Sequence, residues 1–301
     1  MRIVVTGQAD FGAEVIKSLV SAGEEVVQAF APLGRRGEPV KKVAESFGIP
    51  VFQAERLKNS QSLEIMKNVD PDLGVMAFVT EIIPIELIRC PKLGTIQYHP
   101  SLLPRHRGGS AINWAIIQED MKTGLTIFWP DEGIDTGPIL LQKEVQIDPD
   151  DTMGSIYFEK LFPLGVEAIV ESVRLIKEGR PPRISQDESQ ATYEGLCTEE
   201  VALIWWNEPV SEVHNLIKGT NPQPGAFTFH RGNKLKIFDC SKVEGVSGLP
   251  GGVIGVRGDS FLVAASGGAI EVKRVQVPPE PKTTASEYVK RLGVKEGERL
   301  G

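Results

Sequence analysis

Residues 1–30 read MRIVVTGQADFGAEVIKSLVSAGEEVVQAF, and this order of elements sets the class of fold. An apolar run closed by Gly7 is followed by apolar residues at helical spacing as far as Gly23, and a second apolar run begins at Glu25. Strand, helix and strand in this order form a βαβ unit, which belongs to a parallel sheet with a right-handed crossover. Similar alternations continue to residue 98, so we predict an α/β domain with a doubly wound parallel sheet.

The turn at residues 7–12 reads GQADFG and superficially resembles a dinucleotide fingerprint. It lacks the middle glycine of GxGxxG, and the second strand ends at residues 27–30 without an acid for a ribose. We interpret the turn as a tight strand-to-helix connection and predict no NAD cofactor.

The pattern changes after residues 179–195, a polar stretch with two prolines that is typical of an interdomain linker. One helix near residues 209–218 follows, then short β runs separated by Gly-rich turns, then a last helix at residues 285–292. The β runs are residues 226–229, 234–238, 252–256, 261–264 and 270–277. Short strands at this spacing favour a small sandwich or barrel. We predict two domains, residues 1–195 and 196–301, because one core rarely grows much past ~250 residues.

Composition limits the function classes. The net charge of −7, with 24% charged residues, provides no overall attraction for a polyanion such as tRNA. The 3 cysteines are widely spaced and fit neither a disulfide framework nor a CxxC metal site. No window approaches ~20 apolar residues, and the first residues run directly into a strand pattern. We therefore predict a cytoplasmic protein with no metal and no membrane partner.

His99 and Asp135 are the candidate catalytic residues. His99 ends a β-branched and aromatic run and is followed by a basic loop bounded by Pro and Gly, whereas Asp135 lies in a Gly- and Asp-rich turn after the strand at residues 125–129. Because ligands of an open parallel sheet bind beyond the carboxyl ends of its strands, we expect both side chains to face one crevice. A histidine beside a carboxylate is suited to proton transfer. The alternatives are a capping or core histidine and a turn acid that binds its own backbone; for Asp135 the residues leave the choice open.

Other polar residues near this loop are less specific. The basic cluster at residues 105–107 is either a solvated loop or a grip for an anion. Ser110 and Asn113 are best interpreted as a helix cap and a surface residue.

Of the adjacent Trp205 and Trp206, one is expected to be buried and the other exposed. HExxH and GxSxG motifs are absent, which removes two common hydrolase types.

Several motifs together resemble the folate-dependent formyltransferase family. They are YHPSLLPRHRG at 98–108, SAINW at 110–114, IFW at 127–129, GIDTG at 133–137 and ATYEG at 191–195. Within the family, these motifs look most like the hydrolase module of the 10-formyltetrahydrofolate dehydrogenases, and methionyl-tRNA formyltransferase is the next nearest relative.

The resemblance implies a Rossmann-like catalytic domain followed by a smaller, OB-like β-barrel domain. It also implies 10-formyltetrahydrofolate as co-substrate, without a metal, and His99 and Asp135 as the catalytic pair. The pterin is expected to lie against the turn around Asp135 and against one segment that follows a central strand. The expected folate-binding residues are Glu81, Ile82, Ile83, Leu102, Leu103 and Pro104, the last three forming one wall of the pocket.

The chemistry of formyl transfer suits these groups. Removal of a formyl group from nitrogen passes through a tetrahedral oxyanion, so it needs a donor to that oxygen, a base and an acid. We assign oxyanion stabilisation and proton donation to His99, and activation of the nucleophile to Asp135, which also orients His99. Most family members have Asn two residues before the histidine; here Gln97 offers the same amide on a stem longer by one methylene.

The acceptor is left open by the sequence. Water or a small amine is the first hypothesis, and a nucleotide-sugar amine is an alternative. Charged initiator tRNA is a further hypothesis, based on the basic residues at 35–36 and 41–42, although the net charge does not favour it. A protein that binds folate without turnover, its catalysis blunted by Gln97, is the remaining alternative.

Overall fold

The computed structural model describes residues 1–55, 60–179 and 181–301. The sequence pattern also predicts a mostly helical stretch at residues 57–69, and its first residues lie outside the described residues. Seven strands form one sheet in the order β3-β2-β1-β4-β5-β6-β7. They are β1 (Arg2–Gly7), β2 (Glu25–Pro32), β3 (Val51–Ala54), β4 (Leu73–Ala77), β5 (Thr95–His99), β6 (Lys122–Phe128) and β7 (Ile139–Gln146).

Parallel pairing dominates this sheet. β1 lies between β2 and β4 and is parallel to both, and β2 with β3 and β4 with β5 are parallel pairs as well. All residues of β4 are buried, as expected for a central strand covered on both faces. The predicted Rossmann-like class is therefore confirmed.

One part of the prediction is wrong, because the sheet is mixed rather than parallel throughout. β5 and β6 are antiparallel, with Gln97 opposite Phe128 and His99 opposite Thr126. The carboxyl end of β6 therefore lies at the edge of the sheet opposite to His99. Apolar patterning marks a strand but not its direction, so the expectation that Asp135 follows a strand ending beside His99 used an incorrect premise.

Helices accompany these strands along the first 177 residues of the chain. They are α1 (Ala9–Ser21), α2 (Glu38–Ser46), α3 (Ser60–Val69), α4 (Ile85–Ile88), α5 (Ala111–Ile117), α6 (Met153–Ser155) and α7 (Phe162–Lys177). The sequence pattern predicts a long amphipathic helix over residues 151–176 with an interruption at Pro163, whereas the observed interruption is a π-helical turn, Ile156–Leu161, immediately before α7. Pro163 lies in the first turn of α7, where its missing N–H costs no hydrogen bond. Gly165 then allows close packing, since a Cβ there would lie 2.6 Å from the Tyr98 ring.

The second sheet follows the predicted short β runs closely. Its strands are antiparallel and are ordered β10-β11-β12-β9-β8, with β13 paired to β12. They are β8 (Phe227–His230), β9 (Asn233–Glu244), β10 (Val253–Arg257), β11 (Ser260–Ala265), β12 (Gly268–Gln276) and β13 (Thr283–Thr284), accompanied by α8 (Val210–Gly219) and α9 (Ala285–Leu292). The predicted smaller β domain is thus confirmed as an antiparallel sheet with its own core, in which Trp206 is buried while Trp205 is exposed.

The chain divides into two compact units. The first comprises Met1–Ala111, Thr123–Gln146 and Phe158–Glu194, and the second comprises Ile112–Lys122, Ile147–Tyr157 and Gly195–Gly301. The predicted domain limits, 1–195 and 196–301, stay a prediction. Among the described residues, no helix combines the length and the apolar character that a membrane span requires.

Candidate active site

His99 is the last residue of β5, and its side chain is buried. Its Nε2 atom lies 2.8 Å from the backbone carbonyl oxygen of His106. A carbonyl oxygen only accepts, so we assign the proton to Nε2, which donates this hydrogen bond. The contact fixes the orientation of the ring and leaves Nδ1 as the nitrogen that faces Asp135.

Asp135 supplies a buried carboxylate beside this ring. Its Oδ2 atom lies 3.4 Å from Nδ1 of His99 and accepts a 2.8 Å hydrogen bond from the backbone N–H of Gly108. With Nε2 protonated, an unprotonated Nδ1 would direct its lone pair at the carboxylate. A ring that carries both protons satisfies both contacts, so the geometry suits an imidazolium–carboxylate pair. The two side chains predicted to face one crevice are therefore in contact.

The turn between β6 and β7 brings Asp135 back across the edge of the sheet. Oδ1 of Asp131 accepts hydrogen bonds from the Gly133 N–H at 3.1 Å and from the Thr136 hydroxyl at 2.6 Å. Gly137 passes very close to Trp129, the first residue after β6, because a Cβ there would lie 1.8 Å from the Trp129 carbonyl oxygen. The Gly and Asp residues of this turn are thus needed for its path.

Thr126 on β6 anchors the loop that follows His99. Its hydroxyl donates to the Ser101 carbonyl at 2.7 Å and accepts from the Leu103 N–H at 3.1 Å and from the Gln142 amide at 2.9 Å. The Gln142 amide also donates to the Leu103 carbonyl at 2.8 Å. A hydroxyl offers one donor and two acceptor sites, and all three are used here. Thr126 therefore fixes the backbone of the loop at both Ser101 and Leu103.

The three residues predicted to form one wall of the pocket lie in different environments. Leu103 is buried and packs with Phe128 and Ile139, whereas Leu102 and Pro104 are half-buried. Leu103 therefore supports the loop from within the core, and its two neighbours are the ones with surface to offer a ligand.

Gln97 lies two residues before His99 on β5 and is half-buried. Alternate residues of a strand point to the same face, so Gln97 and His99 share one face of the sheet. Its strand partners are Met76 on β4 and Phe128 on β6.

A cavity of about 390 Å³ lies at the carboxyl ends of β1, β2 and β4 and is lined by Glu81 and Ile82 together with polar groups that include Gln8, Arg36 and Thr80. Ile83 instead lines a small, mostly apolar void of about 20 Å³ within the core, beside Val4 and Val75. Glu81 and Ile82 of the predicted pterin segment therefore line the larger cavity, although Ile82 is 68% exposed.

Several backbone positions around this edge adopt a left-handed conformation. Ala9 follows β1, Phe78 follows β4, His106 lies in the loop after β5, and Asp135 has φ 56°. Such conformations are uncommon outside glycine and gather at functional sites, where surrounding contacts must hold them.

Arg107 is neither solvated nor available to bind an external anion, so neither alternative for the basic cluster applies to this residue. Its buried guanidinium donates to both carboxylate oxygens of Glu188, at 2.6 and 2.9 Å, and to Oε1 of Gln186 at 2.8 Å. The hydrogen bonds to Glu188 raise the pKa of Arg107, and the same bonds lower the pKa of Glu188. The charge of Arg107 is therefore used inside the protein.

The prediction of an interdomain linker is wrong for residues 182–194, which we call the strap. They belong to the first unit and pair with its loops: Ile184 exchanges both backbone hydrogen bonds with Ile139, and Thr192 bonds to the Pro104 carbonyl and the Arg107 N–H. A polar, Pro-rich composition is shared by linkers and by ordered surface segments, so composition alone does not separate them.

Asn113 also departs from its prediction as a surface residue. It is buried, and its amide donates to the carbonyl oxygens of Gly219 at 2.7 Å and Gln223 at 3.3 Å.

Among the residues that the structure describes, no cluster of three or more His, Cys, Asp or Glu side chains is arranged to hold a metal ion.

The chain was compared with known protein families and structures. Residues 1–173 match the Formyl transferase family model, and residues 197–293 match the model for the Formyl transferase C-terminal domain. The chain is 40% identical over 307 residues to the cytosolic 10-formyltetrahydrofolate dehydrogenase of Xenopus laevis, an alignment that covers 96% of this chain and 34% of that protein. The chain thus spans about a third of the length of that relative.

A relative of similar length is also found. The methionyl-tRNA formyltransferase of Syntrophus aciditrophicus (strain SB) is 37% identical over 308 residues, which cover 99% of this chain and 98% of that protein. The structure of HypX from Aquifex aeolicus in complex with tetrahydrofolic acid superposes with a TM-score of 0.72 at 20% identity, covering 98% of this chain and 48% of that chain. A family model that spans more than half of the chain and a full-length relative agree, and the chain therefore belongs to the formyl transferase family of enzymes.

Proposed function

We propose that the chain removes the formyl group from 10-formyltetrahydrofolate and passes it to water or to a small amine, with His99 and Asp135 as the catalytic pair. The observation that carries the proposal is the buried contact of 3.4 Å between Nδ1 of His99 and Oδ2 of Asp135. Both groups are held by backbone partners, which suits a site that must be organised before its substrate arrives.

The reaction begins when the nucleophile attacks the formyl carbon. Its proton passes to the carboxylate of Asp135 while the formyl oxygen gains negative charge. Protonation of Asp135 weakens its attraction for the Nδ1–H of His99, which then donates to the formyl oxygen, since the hydrogen bond to His106 keeps Nε2 occupied. When the tetrahedral intermediate collapses, its C–N bond breaks and the departing nitrogen of the folate takes the proton from Nδ1 of His99. The proton held by Asp135 then passes to Nδ1, which restores both groups.

The folate is assigned to the edge of the sheet beside this pair. The pterin lies against residues 81–83 and the turn that carries Asp135, and Leu102 and Pro104 offer apolar surface on the other side. Support comes from the cavity of about 390 Å³ lined by Glu81 and Ile82 and from the tetrahydrofolic acid in the HypX structure. Leu103 acts from the core by holding its neighbours in place.

Gln97 is assigned as the amide donor that assists His99 at the oxyanion. It lies on the same face of β5, and its side chain is longer by one methylene than the Asn of most family members. Gln97→Asn is therefore expected to retain activity, whereas Gln97→Leu removes the donor.

Formylation of methionyl-tRNA is the second candidate function. It is favoured by the full-length match to the methionyl-tRNA formyltransferase and by the exposed basic residues Arg35 and Arg36 after β2. A nucleotide-sugar amine is the remaining alternative acceptor.

An acceptor screen tests these proposals. The protein is mixed with 10-formyltetrahydrofolate, alone or with charged initiator tRNA, small amines or a nucleotide-sugar amine, and tetrahydrofolate and formate are measured. Equal amounts of tetrahydrofolate and formate without an acceptor support hydrolysis, whereas tetrahydrofolate that forms only with one acceptor supports transfer to it. Tight folate binding without turnover under any condition would contradict the proposed function.

A further inference from the structure

We infer that Gln186, on the strap, is a positioning residue that acts on the active site through Asp135. The inference rests on the function proposed above for His99 and Asp135, and it concerns a side chain that does not itself touch the reacting atoms.

Gln186 clamps the turn that carries Asp135. Its Nε2 atom donates two hydrogen bonds, at 2.8 Å to the carbonyl oxygen of Asp135 and at 2.7 Å to that of Gly137. Its Oε1 atom accepts from Nη2 and Nε of Arg107 at 2.8 and 3.2 Å. Only this orientation of the amide satisfies all four contacts, because the carbonyls require donors and the guanidinium requires an acceptor.

The clamp acts where the backbone most needs support. Asp135 has φ 56°, a left-handed conformation that costs roughly 1–2 kcal/mol for an L-residue. The direction of its carboxylate follows from that conformation. The Gln186 amide bonds to the carbonyl oxygens of Asp135 and Gly137, the residues on either side of Thr136. These two hydrogen bonds hold the turn in place.

The same strap holds the other half of the site. The Thr192 hydroxyl accepts from the His106 N–H at 2.8 Å, and Oε2 of Glu194 lies 3.2 Å from Nδ1 of His106. The carbonyl of His106 is the group that orients His99, and Arg107, the next residue, binds Gln186. The strap thus holds both the loop whose His106 carbonyl orients His99 and the turn that carries Asp135. The hydrogen bonds between Gln186 and Arg107 connect this loop to this turn.

Gln186→Glu is the sharpest test, because it keeps an acceptor for Arg107 and removes the donors to the two carbonyls. The matched control is Gln190→Glu, the same change on the same strap at an exposed residue whose amide donates to Asp187. A displacement of about 1 Å at a catalytic group can cost about 100-fold in rate. We expect kcat for Gln186→Glu to fall about 10- to 100-fold while the protein stays folded at the assay temperature, and Gln190→Glu to match the wild type.

A readout without turnover accompanies the kinetics. Histidine-labelled protein is observed by long-range ¹H–¹⁵N correlation, with the His99 ring nitrogens assigned by comparison with His99→Gln. We expect these resonances to shift in Gln186→Glu and to stay in place in Gln190→Glu, because only the former alters the position of Asp135.

The outcomes are distinct. A kcat for Gln186→Glu within twofold of the wild type would overturn the inference. If the wild-type protein itself does not consume 10-formyltetrahydrofolate, the proposed function fails, and the spectra alone then decide the coupling: unchanged His99 resonances refute it. Should Gln186→Glu fail to fold, Gln186→Met, which has a similar length and no charge, is measured against Gln190→Met by the same criteria.

Discussion

The carbonyl oxygen of His106 lies 2.8 Å from Nε2 of His99 and so holds one ring proton on that nitrogen. The other ring nitrogen, Nδ1, thereby faces Oδ2 of Asp135 at 3.4 Å, and the same oxygen accepts a hydrogen bond from the Gly108 N–H. The backbone of a loop that looks merely basic in sequence thus orients the His99 ring.

Asp135→Asn removes the negative charge while keeping an oxygen that can accept from Gly108. Because the amide neither takes a proton from the nucleophile nor balances an imidazolium, we expect kcat to fall about 100-fold or more. Steady-state turnover of 10-formyltetrahydrofolate measures the effect, and circular dichroism checks that the fold is intact. Activity close to that of the wild type would remove Asp135 from the mechanism.

Gly108→Ala should destabilise the site through two separate effects. Gly108 has φ +92°, and an added Cβ would lie 3.2 Å from the Tyr193 ring. We expect a loss of about 2–3 kcal/mol in the free energy of unfolding, measured by denaturant titration. Gly34→Ala is the matched control, since its φ is +75° but nothing lies within 4 Å. If both variants lose the same free energy, the contact with Tyr193 has no effect.

His214 on α8 makes stability depend on pH. Burial and the nearby Lys218 and Lys242 lower its pKa from 6.5 to about 4, with Asp150 acting in the opposite direction. The unfolded chain therefore binds the proton first, and the stabilisation present above pH 6.5 is lost as the pH falls towards 4.

Urea unfolding of the wild type and of His214→Gln between pH 7.5 and pH 4.5 measures this contribution. We expect the difference between the two proteins to change by about 2 kcal/mol across the range, with the wild type losing more. Parallel curves for the two proteins would show that His214 titrates normally.

The two adjacent tryptophans should differ sharply in their effect on the second core. Trp206 is buried and its Nε1 donates to the Thr228 hydroxyl at 3.0 Å, whereas Trp205 is 61% exposed. We expect Trp206→Ala to cost about 3–5 kcal/mol and Trp205→Ala less than about 0.5 kcal/mol, by thermal or urea unfolding. Similar costs for the two variants would contradict the assignment of the core.

Much of the fold could be predicted from apolar periodicity. The first βαβ unit, the short strands of the second sheet and the last helix follow from local patterns that are strong enough to survive tertiary context. The direction of β6 could not be predicted in this way, because antiparallel pairing with β5 depends on the path of the connection rather than on the strand itself.

The candidate site shows the same division. His99 and Asp135 could be selected from residue type and neighbouring Gly and Pro, and their contact is observed. The partnership of Gln186 and Arg107 could not be predicted, because their hydrogen bonds join segments far apart in the chain and glutamine in a polar stretch carries no local signal. The burial of Asn113 could not be predicted for the same reason, since its partners lie on a distant turn.

His99 is the residue proposed above to remove the formyl group from 10-formyltetrahydrofolate. The most direct test is the initial rate of tetrahydrofolate formation by the wild type and by His99→Ala, measured side by side with the acceptor identified in the screen. We predict turnover by the wild type and a loss of at least about 100-fold in His99→Ala, with the fold intact. A His99→Ala rate within twofold of the wild-type rate would contradict this account.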